Sequence, residues 1–173
     1  MQDIWFALLD WEQKGDGALK DGDFSLRPAT EEDLDRVSKI EGSVQLVPWT
    51  RKHFEEELQK PYSRFLILTD DETDTLIAGF IVYWIQEEDL HILNVAVDTP
   101  YRGKGMGRFL MRKAMDDARQ SRCKRLILEV RKSNDRAVQL YHAMGFEITF
   151  IRKNFYSDGE DAYQMEKEAG TFE

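Results

Sequence analysis

Residues 90–112 hold the feature that most constrains the fold. An apolar run of β-type residues, His91-Ile-Leu-Asn-Val-Ala-Val97, meets a turn signal, Asp98-Thr-Pro-Tyr101. Three glycines then alternate with larger residues in Arg102-Gly-Lys-Gly-Met-Gly-Arg108, and a helical apolar pattern follows. A strand delivering a glycine loop to a helix N-terminus is an anion site. Glycine lets successive backbone N–H groups turn inward and puts no Cβ in the way of a phosphate. The positive end of the helix dipole adds to the attraction. Arg102, Lys104, Arg108 and Arg112 place four cations within eleven residues of a chain whose formal net charge is -9. The expectation is a diphosphate cradle. Its spacing is neither that of a Walker loop, G-x-x-x-x-G-K-[ST], nor that of the dinucleotide fingerprint, G-x-G-x-x-G.

The rest of the chain reads as mixed α/β. Ile4, Trp5, Leu8, Leu9 and Trp11 fall on helical spacing before a run of glycines and aspartates. Residues 1–23 are therefore expected to be an amphipathic helix and joint, lying on the domain or against a second subunit, as in a homodimer. Residues 24–28 read as a first strand. Thr30 caps a helix with Asp33 at the capping-box position, and Leu34, Val37, Ile40 and Glu41 follow on helical spacing. Thr50 opens a second helix, 51–59, which Pro61 ends. Strands at 64–69, 75–85 and 90–97, with a turn at 70–74, form an antiparallel meander. The helix at 107–121 carries the stripe Phe109, Leu110, Met111, Ala114, Met115 and Ala118. A strand at 125–130 follows. The next helix, 135–144, is capped by Asn134 and ended by Gly145. Strands at 146–152 and 161–167 complete a domain spanning 24–167, with a tail at 168–173.

Composition narrows the function. The 173 residues, 42% hydrophobic and 33% charged, suit a single soluble globular domain. No apolar run approaches the roughly 20 residues of a membrane span. The N-terminus lacks the features of a secretory signal. One cysteine, Cys123, excludes an intrachain disulfide and suits a reducing compartment. A cytoplasmic protein with no membrane partner is expected. The acidic balance argues against nucleic acid and leans toward a basic partner. Arg122, Lys124 and Arg125 can lower the pKa of Cys123, but with no His or Asn arrangement beside it no catalytic role is expected of it. His53, His91 and His142 have no partners at ligand spacing, so no metal is expected.

The pattern Arg102-x-x-Gly105-x-Gly107 resembles the pyrophosphate-binding signature of the GNAT superfamily of N-acetyltransferases. The resemblance extends over roughly residues 24–167. It is more specific in Asn94-Val-Ala-Val-Asp98, Leu128-Glu-Val-Arg-Lys-Ser-Asn134, Ala137-Val-Gln-Leu-Tyr141, Met144-Gly-Phe146 and Arg152-Lys-Asn-Phe-Tyr156, which look like the RimI branch of protein N-terminal acetyltransferases. Those bacterial enzymes acetylate the N-terminal alanine of ribosomal protein bS18. Asp158-Gly-Glu-Asp-Ala-Tyr-Gln-Met165 is also similar to the tail of Ard1-type catalytic subunits. The first half matches loosely, apart from Pro48-Trp49-Thr50.

The resemblance implies a GNAT fold: a mixed central sheet of about seven strands, an antiparallel meander followed by a splayed parallel pair, and four flanking helices. The splayed strands would be 90–97 and 125–130. It implies acetyl-CoA as cosubstrate, held by Val95, Ala96, Val97, Arg102, Gly103, Lys104, Gly105, Met106, Gly107, Arg108, Asn134 and Tyr141. It assigns Glu129 as base and Tyr141 as acid, and it places Val47, Trp49, Asn154, Phe155 and Tyr156 around the acceptor.

Residue chemistry gives each of these a plain alternative. Glu129 alternates with Leu128 and Val130, so it is either a buried base with a raised pKa or one half of an ion pair. Asn134, Val138 and Tyr141 share a helix face; Asn134 can be an N-cap, and Tyr141 a core tyrosine. Trp49 and Tyr156 can be aromatic packing. The acceptor is expected to be a protein N-terminus. A small amine is the alternative, and a non-catalytic acyl-CoA-binding module is a third.

Overall fold

The structure, a computed structural model, describes residues 24–70 and 76–170. The expected N-terminal helix, most of the turn at 70–74 and the end of the tail lie outside the described residues.

The described residues form seven strands: β1 (Phe24–Pro28), β2 (Ser63–Asp70), β3 (Ile77–Gln86), β4 (Asp89–Val97), β5 (Arg125–Arg131), β6 (Glu147–Arg152) and β7 (Ala162–Glu168). They form one sheet in the order β1-β2-β3-β4-β5-β7-β6. Every neighbouring pair is antiparallel except β4–β5, which is parallel. Among the described residues the four α-helices are α1 (Leu34–Val44), α2 (Arg51–Leu58), α3 (Met106–Gln120) and α4 (Asp135–Ala143).

Two apolar layers sandwich the sheet. Leu34, Val37 and Ile40 of α1 and Phe54 of α2 pack against Phe65, Ile67, Phe80 and Val82. On the other face Leu110, Met111, Ala114 and Ala118 of α3 pack against Ile81, Tyr83, Leu90 and Leu126. Thr30 and Asp33 form the expected capping box, but its first turn, Glu31–Asp33, is a tighter 3-10 turn that leads into α1. Thr50 caps α2 with an unexpected partner, because His53 Nδ1 accepts from the Thr50 N–H at 3.0 Å. The stripe on α3 is set by Met106, Leu110, Ala114 and Ala118 at four-residue steps. Phe109 falls off its edge and is 38% exposed, contrary to its expected place in the stripe.

Two irregularities on β4 position the site. Across β3 the register steps from Tyr83↔Ile92 to Val82↔Asn94, so Leu93 is an extra, bulged residue. Side chains alternate along a strand, so one extra residue reverses the faces beyond it. Before the bulge, Leu90 and Ile92 pack on the α3–α4 side. After it, Val95 and Val97 take that side and Ala96 joins the α1–α2 layer. The second irregularity is that β4 pairs with β5 only from Asp89↔Arg125 to Ile92↔Leu128. Beyond Leu128, β5 continues beside β7 through Arg131, while β4 continues beside β3 through Val97. The expected splayed pair is therefore present, and it opens at the bulge.

Candidate active site

At the end of β4 the chain turns through Thr99–Tyr101 and enters the glycine loop. Gly103 and Gly105 have φ of +78° and +87°, a left-handed region costly for residues with a Cβ. Gly105 is the N-cap of α3. Among the described residues, the backbone N–H groups of residues 103–108 donate to no protein acceptor. The first turn of a helix leaves such donors unsatisfied. Six amides, a helix N-terminus and exposed Lys104 together make a cradle that fits a diphosphate. A cation that the sequence reading missed stands at its rim: Arg136, in the first turn of α4, has Nη2 3.9 Å from where a Cβ on Gly103 would lie. Arg102 has a different role from Lys104, since its Nε donates to the Val97 carbonyl at 3.0 Å.

The splay opens a cleft whose walls include Glu41, Val47, Trp49, Asn94, Val95, Glu129, Arg131, Asn134, Tyr141 and Tyr156. Glu129 and Tyr141, far apart in sequence, face the same space. Val47, Trp49 and Tyr156 share it, although Trp49 also packs on Phe54 at 5.4 Å between ring centres. Ala96, Asn154 and Phe155 do not line it. The Ala96 side chain is buried in the α1–α2 core. Asn154 holds a left-handed turn (φ +50°) and donates its N–H to Asp161 at 3.1 Å. Phe155 lies edge-on to Tyr156 at 5.1 Å. On α4 it is Ala137, three residues after Asn134, that reaches the cleft, while Val138 packs into the core. Asn134 does act as an N-cap, with its side chain accepting from the Ala137 N–H.

Glu129 does not have the raised pKa expected of it. Its carboxylate is 10% exposed and bridges two partners: Oε1 accepts from Arg152 at 2.5 Å, and Oε2 lies 2.6 Å from His91 Nε2. Desolvation pulls its pKa up, but His91 and then Arg152 outweigh it and hold the group below the usual glutamate range. Sequence reading missed both partners. His91 faces Glu129 because β4 and β5 are in parallel register below the splay. Arg152 arrives from β6, two strands away in the sheet.

Tyr141 shows the opposite behaviour. It is buried, and its hydroxyl makes no hydrogen bond to another described residue. Burial, with a smaller push from Tyr156, raises its pKa well above that of a free phenol. Tyr156 is held by a clamp: Arg131 stacks 3.8 Å from its ring centre and ties down the loop through Asp158 (2.8 Å) and Glu160 (2.7 Å). Burial pushes the Tyr156 phenol up to about 12, against the lowering effect of Arg131. Cys123 is fully buried, and burial followed by Asp89 raises its thiol, so the expectation from the neighbouring cations does not hold. Among the described residues, no group of three or more His, Cys, Asp or Glu side chains could hold a metal ion.

A parallel pair that splays into a glycine cradle, with Glu129 and Tyr141 facing one cleft, matches the N-acetyltransferase arrangement that the sequence resemblance implied. The chain belongs to the acetyltransferase (GNAT) family, whose model matches residues 34–146, and it is an N-acetyltransferase. Two curated relatives refine this. Over 136 residues it is 32% identical to the [ribosomal protein bS18]-alanine N-acetyltransferase of Escherichia coli K12, covering 77% of this chain and 89% of that one. Over 136 residues it is 41% identical to a Bacillus subtilis protein provisionally assigned the same activity, covering 78% and 88%. The crystal structure of the ribosomal-protein-S18-alanine N-acetyltransferase from Escherichia coli superposes with a TM-score of 0.77 at 29% identity, covering 87% of this chain and 96% of that one.

Proposed function

We propose that this enzyme transfers acetyl from acetyl-CoA to the α-amine of a protein N-terminus, with the alanine terminus of ribosomal protein bS18 as the first candidate acceptor. The observation that carries the reading is the meeting of Glu129 and Tyr141 in one cleft at the mouth of the splay. The free amides of residues 103–108 hold the diphosphate. Backbone groups of β4 beyond Ile92 have no β5 partner, so they can pair with an extended pantetheine arm as with an added strand. One of their N–H groups can meet the oxyanion.

An α-amine has a pKa of about 8 and a lysine about 10.4. The depressed pKa of Glu129 makes it a modest base, adequate for the first and poor for the second. It is ionised at rest, draws the α-ammonium in, and relays the amine's proton through water to solvent without holding it. Tyr141 keeps its proton at neutral pH and donates a hydrogen bond to the sulfur as it leaves. Val47, 45% exposed, leaves the cleft open on the side where Trp49 and Tyr156 stand, which supports a peptide over a small amine. The catalytic domain spans 24–167, and the relatives and single cysteine support a cytoplasmic enzyme.

Tyr141→Phe tests the assignment. Turnover is expected to fall by about 10²- to 10⁴-fold with acetyl-CoA affinity unchanged in calorimetry. Unchanged turnover overturns the role of Tyr141.

A further inference from the structure

Glu41 stands on α1 at an otherwise apolar position, is 1% exposed, and lines the cleft without a part in the chemistry above. The other buried or mostly buried carboxyls each meet a cation: Asp33 meets Arg27, Glu57 meets Lys60, and Glu129 meets Arg152. Among the described residues Glu41 has no ion pair. Its Oε1 accepts from the Trp49 N–H at 2.9 Å and from Asn94 Nδ2 at 3.1 Å. Its Oε2 and the Asn94 Oδ1 are both buried, and neither has a hydrogen-bond partner.

These two oxygens belong to the carboxyl and the primary amide that the Asn94 Nδ2–H···Oε1 bond joins. If Glu41 is ionised, both are acceptors with nothing to accept, a costly state in a buried wall. One proton can remove both deficits, because a carboxylic acid can donate Oε2–H to the amide oxygen while its Oε1 accepts from the amide N–H. We propose that Glu41 is a neutral acid at working pH, sharing its proton with Asn94, and that it serves as a positioning residue. The neutral pair ties α1, through the Trp49 N–H, and the substrate wall at residues 47–49 to β4 just past its bulge.

The surrounding groups favour the neutral form. On α2, His53 is engaged with Thr50. On β4, His91 is engaged with Glu129. Glu129 and Arg131 of β5, Tyr141 of α4 and Tyr156 of the β6–β7 loop share the cleft, and none bonds to Glu41. The β3 side chains facing α1, among them Phe80 and Val82, are apolar. Burial is accordingly the leading influence on the Glu41 carboxyl and raises its pKa, against the bonds from Trp49 and Asn94. As pH climbs, loss of the proton turns two bonded oxygens into facing acceptors and loosens the wall. The effect on turnover rests on the acyl-transfer reading above; the protonation state does not.

The test uses carboxyl NMR on wild-type protein labelled with ¹³C-glutamate, together with the kinetics of two variants. At neutral pH, one glutamate side-chain carboxyl is expected at the shift of a protonated acid, and it disappears in Glu41→Gln. Glutamine copies the neutral acid, with Nε2–H toward Asn94 and Oε1 toward the same two donors. Peptide KM in Glu41→Gln should stay within about twofold of wild type at neutral pH and lack its alkaline rise, whereas Glu41→Ala should raise it by about tenfold throughout. Absence of any protonated glutamate carboxyl at neutral pH overturns the proposal. So does a Glu41→Gln variant as impaired as Glu41→Ala. If Glu41→Gln does not fold, the wild-type spectrum decides alone. If wild type acetylates no peptide, the acyl-transfer reading fails while the spectrum still decides the proton.

Discussion

Glu129 illustrates how partners set the chemistry of a single residue. A carboxylate in an apolar strand suggests a base tuned upward by burial, yet His91 and Arg152 reverse the sign. A group whose folded-state pKa is depressed stabilises the protein above its unfolded value, and that contribution is lost as pH falls through the folded value. The Tm difference between wild type and Glu129→Gln should therefore be full at neutral pH and shrink below the ordinary glutamate range. A difference that grows on acidification, measured by calorimetry, would contradict the ion-pair account. Glu129→Gln should also lower kcat/KM by about 10²- to 10⁴-fold, with Arg152 and His91 left facing a neutral amide.

At the scale of elements, the junction of β4, glycine loop and α3 does most to build the site, and it was the most legible part of the sequence. Local chemistry carries it: left-handed glycines, a helix start and the cations around them lie within one short stretch. Gly105→Ala puts a Cβ on a residue at φ +87°, which costs about 1–2 kcal/mol. For a chain of this size that corresponds to a Tm loss of about 2–8 °C. The same change disturbs the amides proposed to hold the diphosphate, so KM for acetyl-CoA should rise while peptide KM holds. A variant with unchanged Tm and acetyl-CoA KM would show that the loop does not need this geometry. The bulge at Leu93 was not legible. Strand patterning assumes an unbroken period of two, and the extra residue shows itself only once Tyr83 and Val82 pair across it. The partners of Glu129 were hidden for a related reason: they depend on which strands lie side by side, and β6 reaches the site only through the order β5-β7-β6. Glu41 did leave a trace, as a carboxylate in register with Leu34, Val37 and Ile40, but the sequence could not supply Asn94 as its partner.

At the scale of the whole molecule, a net charge of -9 surrounds a cleft lined by Glu129 and Arg131. Such a field favours basic acceptors and is screened by salt, with a Debye length of about 10 Å at 0.1 M and about 3 Å at 1 M. A peptide beginning Ala-Arg should have a lower KM than one beginning Ala-Glu, and the ratio should approach one as salt increases. A ratio independent of salt would place the preference in direct contacts instead. The central claim is tested most directly by incubating the enzyme with acetyl-CoA and a peptide carrying the bS18 N-terminus and an internal lysine, then locating the product by tandem mass spectrometry. Acetyl on the α-amine, with the lysine unmodified, is the predicted result. Acetyl on the lysine alone, or a free spermidine acetylated while the peptide is ignored, would contradict it.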